Sequence, residues 1–254
     1  MRRPARLLPA LLSLLLAGGC DRGPSYASGE EVLAAMHAEH GEGWYRTLFF
    51  RQTVTRTAPD GATQPPEVWT EYMEIPGRLR IDLSDGYGGD GAVYSGDSLY
   101  VFRGGALAQR QAQTNDLLTL GFDVYGQPPE RTAEVLRAKG FDLSKVRRDT
   151  FMDRPVLVVG ADSGDLHTRQ FWVDEERLVF VRLLEPYPQA TDRTMEIIFA
   201  DYRPLAGGWI APLVVFRLDG REFMREEYYD VAADTAFPPG IFDPARWGPV
   251  DGQP

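Results

Sequence analysis

The chain has 254 residues, of which 43% are hydrophobic and 25% charged; this is the balance of a folded globular protein and excludes a disordered one. Its 37 acidic residues outnumber 27 basic ones, and a net charge of −10 excludes nucleic acid as a partner and a broad contact with anionic lipid. The one cysteine, Cys20, excludes an internal disulfide, so packing must hold the domain together.

The N-terminus follows the three-part plan of a secretory signal over residues 1–19. Arg2, Arg3 and Arg6 give a positive start, residues 7–17 are apolar, and Ala17, Gly18 and Gly19 are small. The apolar run is shorter than the roughly 20 residues that a spanning helix needs. Leu16-Ala17-Gly18-Gly19-Cys20 resembles the lipobox of bacterial lipoproteins, with the leucine one position early. The resemblance implies cleavage before Cys20, lipidation of its thiol with acyl chains such as palmitate, and a membrane anchor. Ordinary secretion, with an unmodified cysteine, is the alternative. Residues 20–28 then read as the acylated cysteine and a short polar tether.

Ser28-Gly29-Glu30-Glu31 is a capping-box pattern that opens a helix. Val32, Leu33, Ala35 and Met36 give it an apolar stripe, and Gly41 stops it. His37 and His40 lie three apart on this helix without a third ligand at a motif spacing, so the expectation is a polar helix face and no metal.

From residue 45 the hydrophobic period changes from 3.6 to 2. Residues 45–56, 68–75 and 78–83 read as strands, with Leu79, Ile81 and Leu83 sharing one face. Residues 92–94 and 99–102 flank a polar turn at Ser95-Gly96-Asp97-Ser98. Asn115 caps a short apolar helix carrying Leu117, Leu118, Leu120 and Phe122. Pro128-Pro129-Glu130 opens another, which ends at Lys139-Gly140. Strands resume at 156–159, 169–173, 178–184, 195–202, 214–218 and 221–229. Asp219-Gly220 is a two-residue hairpin signal that sets Phe216 opposite Phe223 and Arg217 opposite Glu222. Ten or eleven strands at hairpin spacing predict a mainly β fold, one strongly curved antiparallel sheet in a single domain over residues 29–243. Residues 244–254 read as a loose tail.

Catalytic motifs are missing. The chain has no Gly-x-Ser-x-Gly elbow, no phosphate-cradling loop and no His-Glu-x-x-His helix. The acidic, glycine-rich stretch from Asp82 to Asp90 departs from the spacing of a calcium loop and reads as a connection. Glu226 and Glu227 alternate faces in a strand and cannot pair, although carboxylates distant in sequence can still converge. The expectation is a protein that is not an enzyme and needs no cofactor. Aromatic residues concentrated in the strands fit an apolar cavity inside an incompletely closed barrel.

Four segments resemble, in order, the LolA/LolB-like superfamily of periplasmic lipoprotein-sorting proteins. They are Glu74-Ile75-Pro76-Gly77-Arg78-Leu79-Arg80-Ile81-Asp82; Ser95 to Phe102; Phe171-Trp172-Val173-Asp174 with Leu178; and Phe199-Ala200-Asp201-Tyr202 with Gly208-Trp209-Ile210-Ala211-Pro212. The resemblance implies a half-open antiparallel barrel, helices over its concave face, and binding of an acyl chain, a lipid or a lipoprotein. The expected cavity residues are Trp69, Leu79, Ile81, Val101, Leu117, Leu118, Phe122 and Phe171. The expected protein is a monomer, lipid-anchored in the bacterial envelope and facing the periplasm. An envelope sensor or interaction module, or an accessory lipoprotein with a dry packed barrel, are the rival readings.

Overall fold

The structure is a computed structural model that describes residues 25–83 and 88–250. Cys20 and its lipobox lie outside these residues, as does part of the Asp82–Asp90 connection.

The first helix, α1 (Gly29–His40), begins where its cap chemistry predicts. The Ser28 hydroxyl accepts a hydrogen bond from the Glu31 N–H at 3.4 Å, and the Glu31 carboxylate accepts one from the Ala27 N–H at 2.7 Å. Val32, Leu33 and Met36 are buried, as is His40. The expected polar face is thus corrected at His40, whose Nε2 meets the Arg177 carbonyl at 2.7 Å while its ring packs edge-on against Trp44 and Tyr125.

A six-strand meander follows: β1 (Thr47–Arg56), β2 (Glu67–Glu74), β3 (Arg78–Leu83), β4 (Gly91–Ser95), β5 (Ser98–Arg103) and β6 (Ala106–Ala112). A helical segment comes next, made of α2 (Asp116–Leu118), a π-helical turn (Thr119–Asp123), α3 (Val124–Gly126) and α4 (Pro129–Ala138). The second run holds β7 (Val146–Phe151), β8 (Arg154–Val159), β9 (Gln170–Asp174), β10 (Val179–Tyr187), β11 (Ala190–Ala200), β12 (Arg203–Leu205), β13 (Gly208–Ile210), β14 (Leu213–Leu218) and β15 (Arg221–Ala233). Thirteen of these strands form one antiparallel sheet in the order β6-β5-β4-β3-β2-β1-β15-β14-β11-β10-β9-β8-β7. The first and last strands pair at its centre, from Leu48 opposite Ala233 to Arg56 opposite Met224. Among the described residues β6 and β7 pair with no further strand, so hydrogen bonds do not close the barrel.

The sheet exceeds the predicted ten or eleven strands because β6 is short of β-formers and β7 has Arg-Arg-Asp in its middle. Hairpin pairing with β5 and β8 places them there despite their composition. The β14–β15 turn has Asp219 at φ 50° and Gly220 at φ 78°, the left-handed pair that a two-residue hairpin requires. Arg217 does face Glu222, but a bulge sets Phe216 opposite Met224 and not Phe223.

Alternation sorts the strand side chains. Leu48, Phe50, Met73 and Leu79 point to the concave side, where Phe171, Phe199 and Phe216 join them in one core with α1 and the helical segment. The convex side is covered as well. Phe49 and Tyr72 pack against Ile241 and Phe242 beyond β15. Trp247 and Gly248 cap Arg80 further on, so residues 244–250 are docked on the sheet and are not the loose tail expected for them.

Candidate ligand-binding cavity

The helical segment connects the two free edge strands, β6 and β7, and packs into the core on the concave face. The Asn115 Oδ1 caps it by accepting from the N–H groups of Leu117 and Leu118, at 2.9 and 3.1 Å. Its π-helical turn, Thr119–Asp123, contains Gly121. A Cβ at Gly121 would lie 2.9 Å from the Phe199 ring, so backbone packs directly on an aromatic there. Tyr125 anchors the next turn: its ring stacks on Trp44 at 3.8 Å, and its hydroxyl accepts from the Phe180 N–H at 3.0 Å. Burial pushes that hydroxyl's pKa up. The Asp123 carboxylate accepts from the Gly77 N–H at 2.9 Å and ties the segment to the β2–β3 connection. Burial pushes its pKa up to about 7 despite that bond.

A cavity of about 320 Å³ opens between the start of α2 and the concave faces of β4, β10 and β11. Tyr94, Leu117, Leu183 and Ile197 supply its apolar wall. Its rim is an ion-pair network. Asp116 at the head of α2 pairs with Lys139 just past α4 and with Arg169 at 3.5 Å; Arg169 pairs in turn with Glu185 at 2.7 Å. The Lys139 Nζ also donates to the Thr114 carbonyl at 2.8 Å. Both ends of the helical segment are thereby clasped to the second half of the sheet. Glu185 is 8% exposed, and burial raises its pKa against the lowering effect of Arg169. A smaller cavity of about 200 Å³, sharing Tyr94 and lined by Leu118 and Val135, lies on the β3–β4 side of the same segment.

Deeper in the barrel, polar groups sit on the concave face. Gln52, Glu71 and Glu226 are buried there, and the Gln52 side-chain N–H₂ donates to Glu71 at 2.9 Å. Burial and the nearby Glu226 both raise the Glu71 pKa, and burial pushes Glu226 up to about 8. Glu226 and Glu227 do alternate faces, one buried and one exposed.

The expected cavity residues divide into groups. Leu79, Leu118, Phe122 and Phe171 come together in the packed core. Ile81 and Leu117 are half-buried against it. Trp69 stands at the opposite end of the sheet from α1, its indole N–H on Glu67 at 2.9 Å and Arg56 over its ring. Val101 is half-buried on β5. Leu117 lines the larger cavity and Leu118 the smaller. Sequence reasoning missed Tyr94, Leu183, Glu185 and Ile197. For Leu183 and Glu185 the signal was their spacing of two along β10, which places them on one face.

No protein-family model matches the chain, and no curated protein sequence matches it. Solved structures share its fold. A LolA superfamily protein from Nitrosomonas europaea superposes with a TM-score of 0.51 at 14% identity, covering 83% of this chain and 96% of that one. A putative outer membrane lipoprotein-sorting protein domain from Vibrio parahaemolyticus gives 0.51 at 14% identity, over 85% and 96%. A DUF1329 family protein from Desulfovibrio piger gives 0.56 at 10% identity, over 86% and 97%. The chain therefore has a LolA-like fold: a large curved antiparallel sheet, left unclosed, with a few helices on its concave side.

Proposed function

We propose that this protein is a lipid-anchored lipoprotein of the bacterial envelope, facing the periplasm, that binds an acyl chain of a lipid or lipoprotein inside its half-barrel. The reading takes it as a binding protein and not an enzyme. The observation that carries it is the cavity with one wall of Tyr94, Leu117, Leu183 and Ile197 and a polar side formed by the Asp116, Lys139, Arg169 and Glu185 network, which clasps both ends of the helical segment. Its volume is at the low end of the roughly 300–1,000 Å³ of small-molecule pockets. A long acyl chain therefore enters only as the helical segment shifts, and a charged clasp yields to such a shift more readily than a packed core does. The lipobox-like Leu16-Ala17-Gly18-Gly19-Cys20 supports the anchor, and the shared fold with a putative lipoprotein-sorting domain supports the ligand class.

One observation favours a second reading, the dry accessory barrel or interaction module. Leu79, Phe122 and Phe171 fill the space between segment and sheet. The deciding experiment is titration with a fluorescent long-chain acyl probe, combined with hydrogen exchange of residues 115–140. Saturable binding with faster exchange in that segment supports the carrier. No binding and unchanged exchange would make the segment a fixed plug and leave the second reading standing.

A further inference from the structure

At the end of the barrel away from α1, the end of β1 and its following loop meet the β14–β15 turn and the start of β11. They enclose a separate cavity of about 330 Å³. Its apolar surface comes from Ala58, Pro59, Leu218 and Phe223, and Phe223 continues into the main core. Three arginines stand around it, Arg56, Arg193 and Arg221, against the single carboxylate Glu222. Glu67 and Asp219 pair with two of these arginines from outside the cavity, while its own lining carries three cations and one anion.

Each guanidinium is held by a different nitrogen. Arg56 gives Nη1 to Glu67 at 2.8 Å, Arg193 gives Nε to Asp219 at 2.7 Å, and Arg221 gives Nη2 to the Pro59 carbonyl at 3.1 Å. A guanidinium carries five N–H donors. The remaining donors of these three have no partner among the described residues. Glu222 does not compete for them, because Arg225 grips it at 2.8 and 3.0 Å. Oriented cationic donors above an apolar floor match an anionic amphiphile: the guanidinium groups bind the head, and Leu218 and Phe223 take the first part of the tail.

We propose that this cavity is a binding site for the phosphate head of an anionic lipid. The inference rests on the acyl-binding reading only for the tail, and it uses a different cavity. The test compares pyrene-labelled phosphatidylglycerol with pyrene-labelled diacylglycerol of the same chain length, on the full chain. Phosphatidylglycerol is expected to bind about tenfold tighter at low salt. In about 0.5 M salt that preference should shrink. Arg193→Gln with Arg221→Gln should abolish it. Arg221→Gln alone leaves the Arg193–Asp219 pair intact and should reduce it several-fold; thermal denaturation checks that both variants are folded. Equal affinity for the two probes, or a preference untouched in folded variants, overturns the site while acyl binding stands. Displacement of phosphatidylglycerol by millimolar inorganic phosphate, with no binding of diacylglycerol, makes this a free-anion site and overturns the lipid assignment. If neither probe binds, both readings fall.

Discussion

Trp247 lies flat on Phe102 across the convex side of the sheet, with ring centroids 4.3 Å apart and planes 6° from parallel. The same indole lies against the Arg80 guanidinium, 4.3 Å from the ring centroid, and donates its N–H to the Gly88 carbonyl at 2.9 Å. Arg80 is itself buried and paired with Asp82. One residue near the C-terminus thus seals a charged pair on β3.

Trp247→Ala is expected to cost about 2–3 kcal/mol, below the usual loss for a fully buried aromatic because Trp247 is half-buried. Urea denaturation measures this. A midpoint equal to wild type would mean that residues 244–250 do not stay docked.

Stability should fall as pH rises through the neutral range. The Glu226 pKa is up to about 8 from 4.5, and that of Asp123 up to about 7 from 3.8. Each therefore keeps its proton in the fold at a pH where the unfolded chain has lost it. Their contribution is complete below the unfolded pKa and is lost as pH passes the folded one. Asp165 and Asp174 are shifted down, and they act with the opposite sign, only below about pH 4. The urea midpoint should drop by about 1–2 M between pH 5 and pH 8.5. Glu226→Gln should flatten that slope; an unchanged slope would remove Glu226 as a source.

Asp116→Asn breaks both ion pairs that hold the head of α2. Amide exchange over residues 116–138 should speed up about tenfold while the sheet core keeps its protection. An acyl probe should also bind tighter, since the segment then yields at lower cost. Slower exchange, or weaker probe binding, would contradict the clasp.

Cys20→Ala should shift the protein from the membrane fraction to the soluble periplasm, because stable anchoring takes more than one acyl chain. Mass spectrometry of the wild type should find lipid on Cys20. A wild-type protein that fractionates as soluble, with an unmodified cysteine, would end the lipoprotein reading.

Local chemistry made parts of this fold readable. The start of α1 follows from Ser28 and Glu31, and the β14–β15 turn from Asp219-Gly220, since each is decided within a few residues. The curved sheet and its helical cover followed from period and order. β6 and β7 were unreadable because their sequences, Ala-Leu-Ala-Gln-Arg-Gln-Ala and Val-Arg-Arg-Asp-Thr-Phe, lack apolar alternation; long-range pairing decides them. The docked C-terminal segment had a signal that Pro and Gly masked, namely Phe237, Ile241, Phe242 and Trp247 spaced along it. Of the expected cavity residues only Leu117 lines the larger cavity. Its other walls come from β4, β10 and β11, which only the curvature of the sheet brings together. The Glu71 and Glu226 pair was hidden for the same reason, although a glutamate in the inward register of a strand marks such a site.

The central seam also sets a timetable for the nascent chain. β1 cannot gain its second partner until residues 224–233 have been synthesised, long after β2 is available. Until then the β1 margin of the six-strand meander stands bare in addition to the permanent edge at β6, and such margins template aggregation. Joining β1 to β15 at such sequence separation is also slow, because a long loop must close before the contact rewards it. The demand on whatever shelters the growing polypeptide is therefore greatest just before β15 is made.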